Sequence, residues 1–80
     1  MGNKTIPEAF GDVLRDCRTR AGITQENLAF RAELDRTYVS LLERGLRQPT
    51  LETLFRLAAV LEIAPTTLIT RMIGRMEGHS

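Results

Sequence analysis

The sequence predicts an all-α fold of five helices in a single domain. Three observations predict it. Apolar residues recur at three- and four-residue spacing in five separate segments. No segment alternates apolar with polar residues, and no Asn-Gly or Asp-Gly turn marks a hairpin. The periodic segments are punctuated by residues suited to helix ends, among them Pro7, Gly22, Thr24, Asp35, Gly45 and Thr50.

The first helix is expected from about Glu8 to Arg20. Pro7 suits a first-turn position, where its missing N–H costs nothing. Phe10, Val13, Leu14, Cys17 and Ala21 fall at helical spacing on an inner face, and Asp12, Arg15, Asp16 and Thr19 face water. Gly22 stops the helix. The second helix follows Thr24, an N-cap, and runs from Gln25 to about Ala32, with Leu28, Ala29 and Ala32 inward and Ile23 packed ahead of the cap. Asp35 caps the third, its carboxylate favoured by the helix dipole. That helix runs from Arg36 to about Arg44 with Val39 and Leu42 inward. Gly45 stops it, and Pro49 prevents a restart before Thr50.

Thr50 caps the fourth helix, Leu51 to about Leu61, whose inner face is Leu51, Leu54, Leu57, Ala58 and Leu61. Ala64-Pro65 breaks the chain. A fifth helix follows from about Thr66 to Arg75, carrying Leu68, Ile69, Met72, Ile73 and Met76. Glu77-Gly78-His79-Ser80 is expected to be loose.

Composition excludes several function classes. Hydrophobic residues make up 42% and charged residues 26%, too apolar for disorder and too mixed for a fibre. No apolar run approaches the roughly 20 residues needed to span a bilayer. No signal peptide opens the chain, and Ile6 stands where a myristoylation signal wants Ser or Thr. The expected compartment is therefore cytoplasmic, with no membrane partner. Cys17 is the only cysteine, so no internal disulfide forms. Its place on an apolar face reads as a buried structural thiol, with a redox sensor as the alternative. One Cys and one His, His79, make no zinc site. There is no nucleophile–base set and no Gly-rich phosphate loop. The expectation is a non-enzyme without cofactor, metal or evident small-molecule ligand.

Net charge is +1, which alone does not announce a nucleic-acid binder. Ten of the eleven basic residues are Arg, however, the side chain suited to bidentate contact with phosphate and guanine. Their placement matters more than their sum.

Two short helices joined by Glu33-Leu34-Asp35 have the geometry of a helix-turn-helix, spanning about 25–44. Ala29 sits where the two helices approach closely and a small side chain is required. With Val39 and Leu42 inward, Arg36, Thr37, Tyr38, Ser40 and Leu41 remain on the outer and end faces. The first of these lie at the helix N-terminus, the part of such a motif that enters the DNA major groove.

Three stretches carry a family resemblance: Gly22 to Ala29, Leu34 to Gly45, and Arg47-Gln48-Pro49-Thr50-Leu51-Glu52-Thr53-Leu54. Together they resemble the Cro/C1-type (XRE) regulators, over about residues 8–75. The Asp-Arg-Thr-Tyr-Val-Ser stretch in a chain of this size is most similar to controller proteins of restriction–modification systems. The resemblance implies a lambda-repressor-like domain that binds double-stranded DNA. It implies base reading by Arg36 and Thr37, with Ser40 one turn on and Tyr38 beside them. It implies phosphate contacts by Gln25, Arg44, Arg47 and Gln48, with apolar contact between Leu41 and a thymine methyl, and a DNA contact by Arg31, as weaker candidates. It implies an ion pair between Arg18 and Glu43 that clips the reading helix to the scaffold. One position departs from the family: Glu33 stands where Gly is frequent. A non-Gly residue with positive φ there would cost on the order of 1 kcal/mol, unless the turn differs.

The fourth and fifth helices hold more apolar residues than a small core uses. Phe55, Ile63, Ile69, Met72 and Ile73 read as an exposed patch and hence a dimer interface, within a dimerisation region of about 55–76. The functional expectation is a sequence-specific transcriptional regulator acting as a homodimer on a palindromic operator. The alternatives are an antitoxin or phage-type repressor that also binds a protein, and an adaptor that binds protein only. Phe30 falls off the inner stripe and is expected to pack on the N-terminal segment or on a partner.

Overall fold

The computed structural model describes residues 3–77. Five helices follow in order: α1 (Ile6–Ala21), α2 (Gln25–Ala32), α3 (Arg36–Glu43), α4 (Leu51–Leu61) and α5 (Pro65–Met76). There is no strand among the described residues. The loose tail expected at Gly78, His79 and Ser80 lies outside them.

The helix starts are set locally. Thr24 Oγ1 accepts from Asn27 N at 3.0 Å, Asp35 Oδ1 from Thr37 N at 3.2 Å, and Thr50 Oγ1 from Thr53 N at 3.0 Å. α1 begins two residues ahead of its expected start. Thr5 Oγ1 accepts from Glu8 N at 3.3 Å, and Glu8 Oε1 accepts from Thr5 N at 3.0 Å. This capping box draws Ile6 and Pro7 into the first turn. α5 likewise starts one residue early. Pro65 breaks what precedes it but occupies the first helical position itself, where a missing N–H is harmless.

α1 is the central helix and packs chiefly against α5 and α3, while α2 rests on α3 and α4. Phe10, Val13, Leu14, Leu28, Val39, Leu42, Leu57 and Leu68 are fully buried where these helices meet. No buried side-chain polar atom among the described residues lacks a partner. Cys17 is buried in this core, with Arg71 Nη1 at 3.2 Å from its sulfur.

Two inward assignments and one outward assignment are corrected. Ala21 shares the stripe of Phe10, Leu14 and Cys17 but is exposed, because it ends α1 beyond the covering helices. Leu51 shares the stripe of Leu54 and Ala58 but is 72% exposed, because the first turn of α4 opens into a groove. Met72, expected in an exposed patch, is buried and belongs to the monomer core. Phe30 is 82% exposed and so does not pack on the N-terminal segment. Nothing in the structure explains it.

α4 and α5 meet at 106°, and no single helix among the described residues is long and apolar enough to cross a membrane.

Candidate nucleic-acid interface

The turn between α2 and α3 is tight because Glu33 adopts the left-handed conformation, with φ 59° and ψ 44°. Its N–H donates to Phe30 O at 3.2 Å, and Leu34 N–H donates to Ala29 O at 2.8 Å. These bonds satisfy the last carbonyls of α2 and reverse the chain. The left-handed turn is thus made by a Glu where Gly would be unstrained. Glu62, after α4, repeats the solution with φ 58°, a feature the sequence reading missed. Ala29 is buried at the close approach of α2 and α3.

α3 presents two kinds of residue. Val39 and Leu42 are fully buried and lock its inner face to the core. Arg36 and Thr37, at its leading end, are exposed. Tyr38 is half-buried against the core, and Ser40 and Leu41 are half-buried on the flanks. Beyond the helix, Gly45 turns the chain at φ 74°, with its N–H donating to Leu42 O at 3.1 Å and Leu46 N–H to Leu41 O at 3.0 Å. Arg44, Arg47 and Gln48 are all exposed around this turn, alongside the trailing end of α3.

The helix is fastened at its far end by a buried charge. The Glu43 side chain is 2% exposed. Arg18 Nε donates to its Oε2 at 2.5 Å and Arg18 Nη2 to its Oε1 at 3.0 Å, a bidentate pair. Arg18 Nη1 also donates to Ile23 O at 2.8 Å, so one guanidinium ties α1 to α3 and to the loop before α2. Hydrogen bonding by Glu43 raises the Arg18 pKa above its ordinary value, against the opposing effect of burial. Gln25 Nε2 is the third donor to Glu43, at 2.9 Å from Oε1. Residue spacing gave no signal of this contact, because the partners lie on different helices. α1 can approach α3 this closely because Gly11 has no side chain: a Cβ there would stand 2.4 Å from Leu42 O and 2.7 Å from Glu43 O. Gly11 was also missed in the sequence.

The arrangement is a rigid two-helix unit with one exposed, arginine-led end. A groove of about 410 Å³ runs between the segment after α3, the start of α4 and α5, lined by Ile6, Gln48, Leu51, Leu54, Ile69 and Ile73, among others. Ile69 is 40% exposed, Ile73 48% and Phe55 57%. Ile63 is half-buried and packs on its own core.

Comparison with known proteins agrees with this architecture. The control protein C.BamHI of Bacillus amyloliquefaciens is 36% identical over 61 residues, 75% of each chain. The restriction-modification controller protein C.AhdI of Aeromonas hydrophila is 45% identical, with a TM-score of 0.75 over 78% of this chain and 94% of that one. A further similar structure is the controller protein C.Esp1396I, solved as a tetramer in complex with its natural 35 base-pair operator. It is 30% identical, with a TM-score of 0.82 over 92% of this chain and 97% of that one. The relatives are regulators rather than enzymes by name. The helix-turn-helix family model HTH_3 matches residues 14–68, and with those residues on the α1-to-α5 scaffold described above, the chain belongs to the helix-turn-helix family.

Proposed function

We propose that this chain is a sequence-specific DNA-binding transcriptional regulator that acts as a homodimer on a palindromic operator, in the manner of a restriction–modification controller protein. α3 enters the major groove. Arg36 takes guanine O6 and N7, Thr37 meets a thymine methyl or accepts a hydrogen bond, and Ser40 and Tyr38 complete the reading set. Gln25, Arg44, Arg47 and Gln48 hold phosphates on either side.

The observation that carries this reading is the division of α3. Val39, Leu42 and Glu43 are buried and tied down, while Arg36 and Thr37 stand free at the leading end. A reading helix needs that combination, since base contacts specify only when the helix is held in one orientation. The named controller relatives support the same task, and one of them is seen on its operator.

The homodimer is supported by the groove and its rim. Ile6, Leu51, Ile69 and Ile73 are large, apolar and exposed around the groove, and Phe55, one turn along α4 from Leu51, is exposed as well. A contiguous patch of that kind on a domain this small is best covered by a second copy. The interface then draws on Ile6 and Leu51 as well as the region 55–76. Ile63 takes no part, and Met72 contributes only as the floor of the groove. A two-fold dimer sets two α3 helices about 34 Å apart, one DNA turn.

Selection of bound sequences from random duplex DNA tests the proposal. The expected result is a motif with two-fold symmetry. Absence of any enriched sequence would overturn it.

A further inference from the structure

Glu43 is the last residue of the reading helix and is buried, and three donors converge on it. Two come from Arg18 on α1, and the third is Nε2 of Gln25, the first residue of α2. We infer that Glu43 is a positioning residue for DNA. It holds the Gln25 carboxamide across the start of α2, so that the second N–H of the same nitrogen meets a phosphate oxygen. The inference deepens the DNA-binding proposal and rests on it.

Gln25 Nε2 carries two hydrogens, and one is committed to Glu43 Oε1 at 2.9 Å. The amide is planar, so fixing one N–H fixes the direction of the other. An unanchored glutamine would lose side-chain rotamer freedom each time it bound, whereas here that ordering is already present in the free protein. The start of α2 is suited to an anion as well. Asn27 N–H is taken by Thr24 Oγ1, while the N–H groups of Gln25 and Glu26 have no partner within the helix and point out of its end. A carboxylate behind a phosphate would ordinarily repel it. The bidentate contact from Arg18 cancels that charge, which is why Glu43 can serve as an anchor here. Arg18, Glu43 and Gln25 thus form one chain: a cation neutralises, a carboxylate aims, and an amide makes the contact.

The test uses the whole chain and a fluorescently labelled mixed-sequence DNA duplex, titrated at several salt concentrations. Gln25→Ala is expected to weaken binding about tenfold. The slope of affinity against salt stays unchanged, because the lost contact carries no charge. Glu43→Asp keeps the charge beside Arg18 but withdraws it by one methylene. It should weaken binding by a similar factor at the same slope, and Gln25→Ala should then add less than about twofold. The pair Arg18→Met with Glu43→Met serves in the same role should Glu43→Asp fail to fold, as read by circular dichroism at the assay temperature. An equal cost of Gln25→Ala in both backgrounds overturns the inference and leaves DNA binding standing. So does a Glu43→Asp protein that melts earlier but binds DNA as tightly as the parent. A parent chain that does not bind the duplex at all overturns the DNA-binding proposal and the inference with it.

Discussion

The backbone of α3 passes so close to Gly11 that a Cβ at that position would stand 2.4 Å from the carbonyl oxygen of Leu42. Both contact atoms nearest to it are backbone oxygens, which cannot rotate away. Gly11→Ala therefore sets a gain in helix propensity of about 1 kcal/mol against a forced separation of α1 and α3. The separation wins, and a net loss of about 2 kcal/mol is expected in urea denaturation. Gly74→Ala is the control: a Cβ there meets nothing within 4 Å, and the variant should melt higher than the parent.

Arg18 and Glu43 stabilise the fold only as a pair. Arg18→Leu leaves a buried carboxylate with Gln25 as its one remaining partner, and should cost about 3 kcal/mol. Replacing both, Arg18→Met with Glu43→Met, should recover most of that loss, because no uncompensated charge is left behind. Thermal melts of the three proteins check the order. An unchanged melting temperature in Arg18→Leu would contradict the role given to the pair.

Glu33 and Glu62 both hold left-handed turns that glycine adopts without steric cost. Glu33→Gly and Glu62→Gly are each expected to stabilise by about 0.5–1 kcal/mol, less whatever the unfolded chain gains in freedom. The two sites are at the ends of different helices, so the effects should add. Calorimetry of the single and double variants measures this.

The exposed side chains of the groove should govern assembly and not folding. Ile73 is 48% exposed, so Ile73→Asp leaves the monomer core intact. Sedimentation is expected to show the dimer population collapsing to monomer, with an unchanged circular dichroism spectrum. A variant that stayed dimeric would place the interface elsewhere.

Arg36 and Arg47 should fail in different ways. Arg36→Ala is expected to lose about 1–3 kcal/mol of discrimination at one base pair of each half-site. Arg47→Ala should weaken all sequences evenly and reduce the salt slope by about one. Binding curves on a set of single-base operator variants separate the two patterns.

Much of this was legible from local rules. Thr24, Asp35 and Thr50 announce helix starts because a side-chain oxygen satisfies N–H groups two or three residues away, within reach of the sequence itself. The helix-turn-helix, the exposed leading residues Arg36 and Thr37, and the awkward turn at Glu33 follow from spacing and from likeness to a family. Thr5-x-x-Glu8 is an equally local signal, and it sets the start of α1 at Ile6. Periodicity went wrong where it had to supply more than direction. Ala21 and Leu51 point the right way, but whether a side chain is buried depends on where the neighbouring helices end. The same limit placed Met72 on a surface it only underlies. What the sequence by itself determined, then, is where each helix begins and which side of it faces inward. The ion pair of Arg18 with Glu43 came from likeness to a family, whereas the close passage of Gly11 under Leu42 and the bond from Gln25 to Glu43 join residues far apart in the chain with no such guide. They exist only once packing has brought three helices together, because nothing in a local pattern encodes the distance between two helices.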